Sequence, residues 1–122
     1  MSRLTPHLPT SDVRKMVAFY EGLAFSLQGA IAERDGLAIF AHLKYGDSDL
    51  RIEHWGLPNW DALKEGFAVT TLWIDTDDIE TIAERLRAQG IPFQGPSLED
   101  YGSVDIEVFD PEGFRIIFAQ PA

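Results

Sequence analysis

The sequence contains no cysteine, which excludes disulfides, thiolate metal sites and thiol nucleophiles. It has no uninterrupted apolar run of the roughly eighteen residues that a membrane-spanning helix requires. The N-terminus lacks a basic stretch followed by an apolar one, so a secretory signal is not expected and a cytoplasmic protein is. Basic residues are scarce: 10 Lys and Arg stand against 20 Asp and Glu, a formal charge of −10. Nucleic-acid phosphates demand a basic surface, so a nucleic-acid partner is excluded. An acidic chain is compatible with a cationic ligand, although acidity serves solubility equally well.

What is present fits one self-supporting domain. At 122 residues, with 45% hydrophobic and 25% charged residues, the chain can bury an ordinary core, and a split would leave two pieces hard to stabilise separately. Two helices are marked by their caps and spacing. Ser11-Asp12 offers an N-cap pair, and Val13, Met16, Val17 and Tyr20 follow with helical period. Asp77-Asp78 does the same for Ile79, Ile82, Ala83 and Leu86, and Gly90 is expected to end that helix.

These two starts lie 66 residues apart, and the offset recurs along the chain. It carries Leu27-Gln28-Gly29 onto Phe93-Gln94-Gly95, Asp35-Gly36 onto Tyr101-Gly102, and Leu50 and Ile52 onto Ile116 and Phe118. An internal duplication without insertions follows. Short β-rich runs fill the spaces, with strands expected near 3–9, 25–33, 37–44 and 49–55, then near 67–75, 91–95, 103–109 and 114–119. The helices fall near 12–22 and 78–89, and Asp110-Pro111-Glu112-Gly113 is a turn before the last strand. The expected fold class is therefore α+β, with two tandem βαβββ modules in a single domain, 1–122. Module one spans 1–55, a linker 56–66, and module two 67–122.

Strand parity separates a helix-side row from a second row where function is to be sought. Leu50 and Ile52, Leu72 and Ile74, and Val104, Ile106 and Val108 are assigned to the helix side. The opposite row holds Thr5 and His7, Arg51 and Glu53, Thr71, Trp73 and Asp75, Asp105 and Glu107, and Ile117 and Ala119. His42 and His54 are given helix-side parity and a structural or rim role.

Two stretches carry a resemblance. His7 to Asp12 with Ala18-Phe19-Tyr20-Glu21-Gly22-Leu23-Ala24-Phe25, and Asp110-Pro111-Glu112-Gly113-Phe114 with its following strand, resemble the glyoxalase/bleomycin-resistance/dioxygenase superfamily, also called vicinal oxygen chelate proteins. Relatives commonly have Leu-Gly-Phe where this chain has Leu-Ala-Phe, and often Trp-Gly where it has Tyr101-Gly102. The resemblance implies cup-shaped mixed sheets and a homodimer with two equivalent cavities, often with swapped modules. It also implies, for the enzymes of the superfamily, a divalent metal held by His or Glu from the first and last strands of each module. Carried over, those positions fall on Thr5, Arg51, Thr71 and Ile117, none of them a good ligand. No metal and no other cofactor is therefore expected, and catalytic residues are not assigned.

The resemblance is nearest to the metal-free bleomycin-resistance proteins, which sequester a drug without altering it. The expected ligand-binding residues are Trp73, Glu53, Asp75, Asp105, Glu107, Arg51, His7 and Tyr101. Trp73 would stack on a planar or cationic group, and the carboxylates would meet positive charge; Asp105 matches an acidic position that such proteins often have before the same turn. The competing readings are that Trp73 plugs a small cavity, that Arg51 pairs with Glu53 or Asp105, and that Asp75 belongs to a helix cap. A metal-dependent lyase, isomerase or transferase with a displaced site near His7 and Glu53 is the alternative function. A sensor or partner-binding subunit on the same fold is the third.

Overall fold

The structure, a computed structural model, describes residues 4–67 and 70–122. It divides into two compact units, Met1–Leu63 and Lys64–Ala122, described here one at a time. No helix among the described residues is long and apolar enough to cross a membrane.

Unit 1 runs β1 (His7–Thr10), α1 (Val13–Gly22), β2 (Ser26–Arg34), β3 (Leu37–Tyr45), β4 (Ser48–His54) and a short helix α2 (Trp60–Leu63). Its strands form a mixed sheet in the order β1-β4-β3-β2, with β1 parallel to β4 and the others antiparallel. Unit 2 opens with a 3₁₀ turn (Lys64–Phe67), then β5 (Thr71–Asp75), α3 (Ile79–Ala88), β6 (Gln94–Leu98), β7 (Ser103–Phe109) and β8 (Arg115–Pro121). Its sheet has the equivalent order β5-β8-β7-β6. The two βαβββ modules are thus present. Residue 3 and residues 68–69 of the expected first strands lie outside the described residues, and β6 sits about three residues later than expected. The expected linker holds α2 and the 3₁₀ turn, with Trp60 buried and its ring 5.8 Å from that of Trp55.

The helices begin where their caps dictate. Asp12 and Asp78 each accept a bond from the backbone N–H three residues on, satisfying a donor the first helical turn cannot pair. The Thr81 hydroxyl and N–H hold the Asp78 carboxyl below its ordinary value. That contribution to stability is complete above pH 3.8 and lost as pH falls through the lower folded-state value. Helix α3 is capped at its C-terminus by Gln89, and Gly90, at φ +67, follows it in the left-handed conformation.

Each helix buries one stripe against one face of its sheet. Val13, Met16, Val17 and Tyr20 lie over Ala41, Leu43, Leu50 and Ile52; Ile79, Ile82, Ala83 and Leu86 lie over Ile106, Val108, Ile116 and Phe118. Burial of large aliphatic side chains at about 1.5–3 kcal/mol each makes these two layers the main stabilising element. Ala24 follows α1 at φ +77, a conformation that strains any Cβ and explains the glycine commonly found there in the resembled family. Ala24→Gly is expected to raise stability by about 0.5–1 kcal/mol in urea unfolding; a loss would show that the unfolded-state entropy of glycine outweighs the strain.

The duplication holds with one local exception. The helices and their capping aspartates repeat 66 residues apart, and so do the His7–Arg51 and Trp73–Ile117 pairs. The middle strands do not. Ala41 faces Ile52, whereas Ile106 faces Phe118, an offset of 65 in one strand and 66 in its neighbour. The extra residue is Ile39: the β2–β3 register steps from Ala32–Phe40 to Glu33–Ala38, leaving Ile39 unpaired in a bulge. The longer turn before β8 restores the count.

Candidate functional site

The bulge corrects one assignment. A uniform repeat would carry His42 onto Val108, beneath a helix. The added residue reverses parity beyond it, so His42 lies directly opposite Arg51 on the face away from the helix.

On unit 2 that open face is built from rows across the sheet. Asp75, Ala119, Asp105 and Ser97 form one row, and Trp73, Ile117, Glu107 and Gln94 the next. A third row runs from Thr71 through Arg115 to Phe109. Ala119 and Ile117 give a buried apolar floor, and longer polar side chains rise around it. A pocket of about 240 Å³ is lined by Tyr101, Asp105, Glu107, Arg115, Ile117 and Gln94, among others.

The carboxylates of this face each have a partner. Asp105, 5% exposed, accepts bonds from the Tyr101 hydroxyl and, at 2.6 Å, from the Ser103 hydroxyl. Glu107 lies 3.4 Å from Arg115, whose Nε donates to Thr71 at 3.0 Å. Asp75 accepts the Trp73 indole N–H at 3.0 Å, so it orients the ring and is not the helix cap. Like charges that would repel across the open face are relieved internally by hydroxyl, indole and guanidinium donors.

Trp73 is 51% exposed and Tyr101 more so, with ring centroids 5.9 Å apart and planes inclined at 54°. An indole that open does not plug a cavity. Both aromatic groups have their polar atoms tied to an aspartate, which fixes the rings while leaving apolar surface available. Acceptance of its proton by Asp105, some loss of hydration, and the charges of Asp105 and Glu99 push the Tyr101 phenol up to about 12. The bond stabilises the fold fully below pH 10.0 and is lost as pH rises through about 12. An absorbance titration should show a tyrosine step near pH 12 that the Tyr101→Phe variant lacks. If the step that Tyr101→Phe deletes lies near pH 10 instead, the Tyr101–Asp105 bond does not form in solution.

On unit 1 the open face carries the other sequence candidates. His7 is opposite Arg51, and its Nδ1 lies 3.8 Å from Glu53. Arg51 makes no ion pair with Glu53; its guanidinium sits 5.5 Å over the Phe40 ring. His42 Nε2 is 2.7 Å from Asp49, which also holds Lys44 at 3.1 Å. Sequence reading missed Arg115, Ser103, Phe40 and the placement of His42. Arg115 was available from parity, two residues before Ile117 on the same strand, while Ser103 and Phe40 needed the register.

The donor set does not suit the divalent metal that the resemblance implies for enzymes. Thr71 is engaged by Arg115, Ile117 offers no lone pair, and Arg51 is a cation. Among the described residues no three His, Asp or Glu side chains converge, whereas a catalytic site needs about three protein ligands.

Comparison with known proteins places these observations in context. The family model described as the Glyoxalase/Bleomycin resistance protein/Dioxygenase superfamily matches residues 3–118. A solved bleomycin-binding protein complexed with bleomycin is 25% identical over 100% of both chains, with a TM-score of 0.74. A bleomycin resistance determinant encoded on the transposon Tn5 is 24% identical over 99% of this chain and 98% of that one, with a TM-score of 0.73. An antibiotic binding protein from Streptomyces sp. CB03234 is 22% identical over 100% and 98%, also at 0.73. The last two show the fold. No curated protein matches the sequence.

Proposed function

Because the chain belongs to the glyoxalase/bleomycin resistance protein/dioxygenase superfamily, we propose that it is a metal-free small-molecule binding protein of the bleomycin-resistance type. It sequesters a cationic or planar ligand, with no bond made or broken, in a cavity of a homodimer. The observation that carries this reading is the exposed Trp73–Tyr101 pair, each member anchored by a carboxylate beside a pocket lined by Glu99, Asp105 and Glu107. Fixed aromatic faces stack on planar heterocycles or meet a cation for roughly 0.5–2 kcal/mol, and pre-fixed rings lose little entropy on binding. Likeness to a protein complexed with bleomycin supports that class of ligand.

The test is calorimetric titration with metal-free bleomycin, beside the Trp73→Leu variant. Saturable binding of about one ligand per chain is expected, weakened roughly tenfold in a variant that melts like the parent. Absence of saturable heat, or equal affinity in the variant, would withdraw the drug class or Trp73 respectively.

The alternative, a metalloenzyme with a displaced site, has His7 and Glu53 adjacent to support it. The imidazole that could serve as a third ligand, His42, is already committed to Asp49, and the equivalent positions in unit 2 are Trp73 and Ala119. Stoichiometric transition metal in protein purified without chelators would favour it over sequestration.

A further inference from the structure

We infer that the open face of unit 1 holds a subsite for a small oxyanion, a carboxylate or a phosphate, centred on the Arg51 guanidinium. His42, Arg51 and His7 lie directly opposite one another on β3, β4 and the edge strand β1, so the sheet carries a row of three nitrogen-bearing side chains. Of the local acids, Asp49 is already engaged and Glu53 has an imidazole beside it. Asp49 holds His42 and Lys44, and Glu53 faces His7 at 3.8 Å. Arg51 is left with no carboxylate in ion-pairing distance among the described residues, and its Nε is buried with no hydrogen-bond acceptor. A buried donor left unpaired loses its hydration without compensation, and in a charged group the loss is larger.

Three features point to an oxyanion, received at the terminal Nη groups since Nε itself is closed to solvent. The guanidinium carbon lies 5.5 Å over the Phe40 ring centroid, and a guanidinium presents a planar set of donors that matches a carboxylate or phosphate in a two-point contact. The fold itself does not require a cation here, since the duplicated position in unit 2 is the buried Ile117. The acidity of the chain is also unevenly placed. Residues 1–63 carry six Lys and Arg against eight Asp and Glu and contain all three histidines, whereas residues 64–122 carry four against twelve. Charges beyond about 8 Å are largely screened at physiological salt, so the local row decides. The subsite goes beyond the cation-binding reading of unit 2 and does not rest on it.

The test follows the arginine Nε–H resonances of the full-length protein by NMR, with Arg51→Lys identifying the Arg51 signal. Sodium acetate, inorganic phosphate and sodium chloride are titrated at constant ionic strength. The Arg51 signal is expected to shift saturably with acetate or phosphate at millimolar concentration and not with chloride; the oxyanion that saturates first names the preferred class. In Arg51→Gln, affinity for that oxyanion should fall at least tenfold with the backbone spectrum retained. An Arg51 signal that stays still, or drifts linearly and alike in all three salts, would overturn the subsite, as would undiminished binding in a folded Arg51→Gln. Should that variant fail to fold, the wild-type titration alone decides.

Discussion

Gly95→Ala is expected to lower the unfolding free energy by at least about 3 kcal/mol. Gly95 lies in the irregular stretch of β6 between the Gln94–Glu107 and Ser97–Asp105 pairs, at φ +103. An added Cβ would stand 2.4 Å from the Asp105 carbonyl oxygen and 3.2 Å from the Ser97 nitrogen. Both neighbours are backbone, so neither can rotate away; one strand must move. The backbone conformation adds a second penalty, because L side chains rarely adopt it. The displaced strand would also carry Gln94 away from the pocket that Asp105 helps to line. Urea unfolding with an unchanged midpoint would show that β6 shifts freely at this point.

Asp110→Ala is expected to cost about 3 kcal/mol, and Asp110→Asn markedly less. The Asp110 carboxylate is buried and accepts the backbone N–H groups of Glu112 at 2.9 Å and Phe114 at 3.0 Å. Its own backbone closes the turn, donating to the Phe114 carbonyl and accepting from the Gly113 N–H. Alanine would strand two buried donors, each at about 1–3 kcal/mol, while asparagine keeps an oxygen acceptor in place. The turn hands the chain from β7 to β8 and thereby sets the Asp105–Ala119 and Glu107–Ile117 pairs on which the open face depends. If both variants unfold at the parent's midpoint, the carboxylate is not holding the turn.

Much of this architecture was legible before any coordinates. Asp12 and Asp78 announced both helices because a cap is a contact between residues three apart, and the buried stripes followed from helical period. The Asp110–Gly113 turn was readable for the same local reason. Repeated local signals at one spacing revealed the duplication, and strand parity put Trp73, Asp75, Asp105 and Glu107 on one face of one sheet. Arg115 obeyed the same parity and could have been included.

What parity could not reveal depends on pairing between distant strands. A single unpaired residue, Ile39, reverses the facing of everything after it on β3, and that is how His42 came to stand beside Arg51. Nothing in the residues near Ile39 marks the bulge; it exists only against the register of β2. The bond from Tyr101 to Asp105, the clasp of Arg115 on Thr71 and Glu107, and the approach of Gly95 to a carbonyl ten residues on likewise form only when the strands close. Composition and local periodicity thus determined the elements, their duplication and the acidic character of the chain. The tertiary structure decided which charges are satisfied and which donor is left open, because those outcomes turn on cross-strand register, which no short stretch of sequence contains.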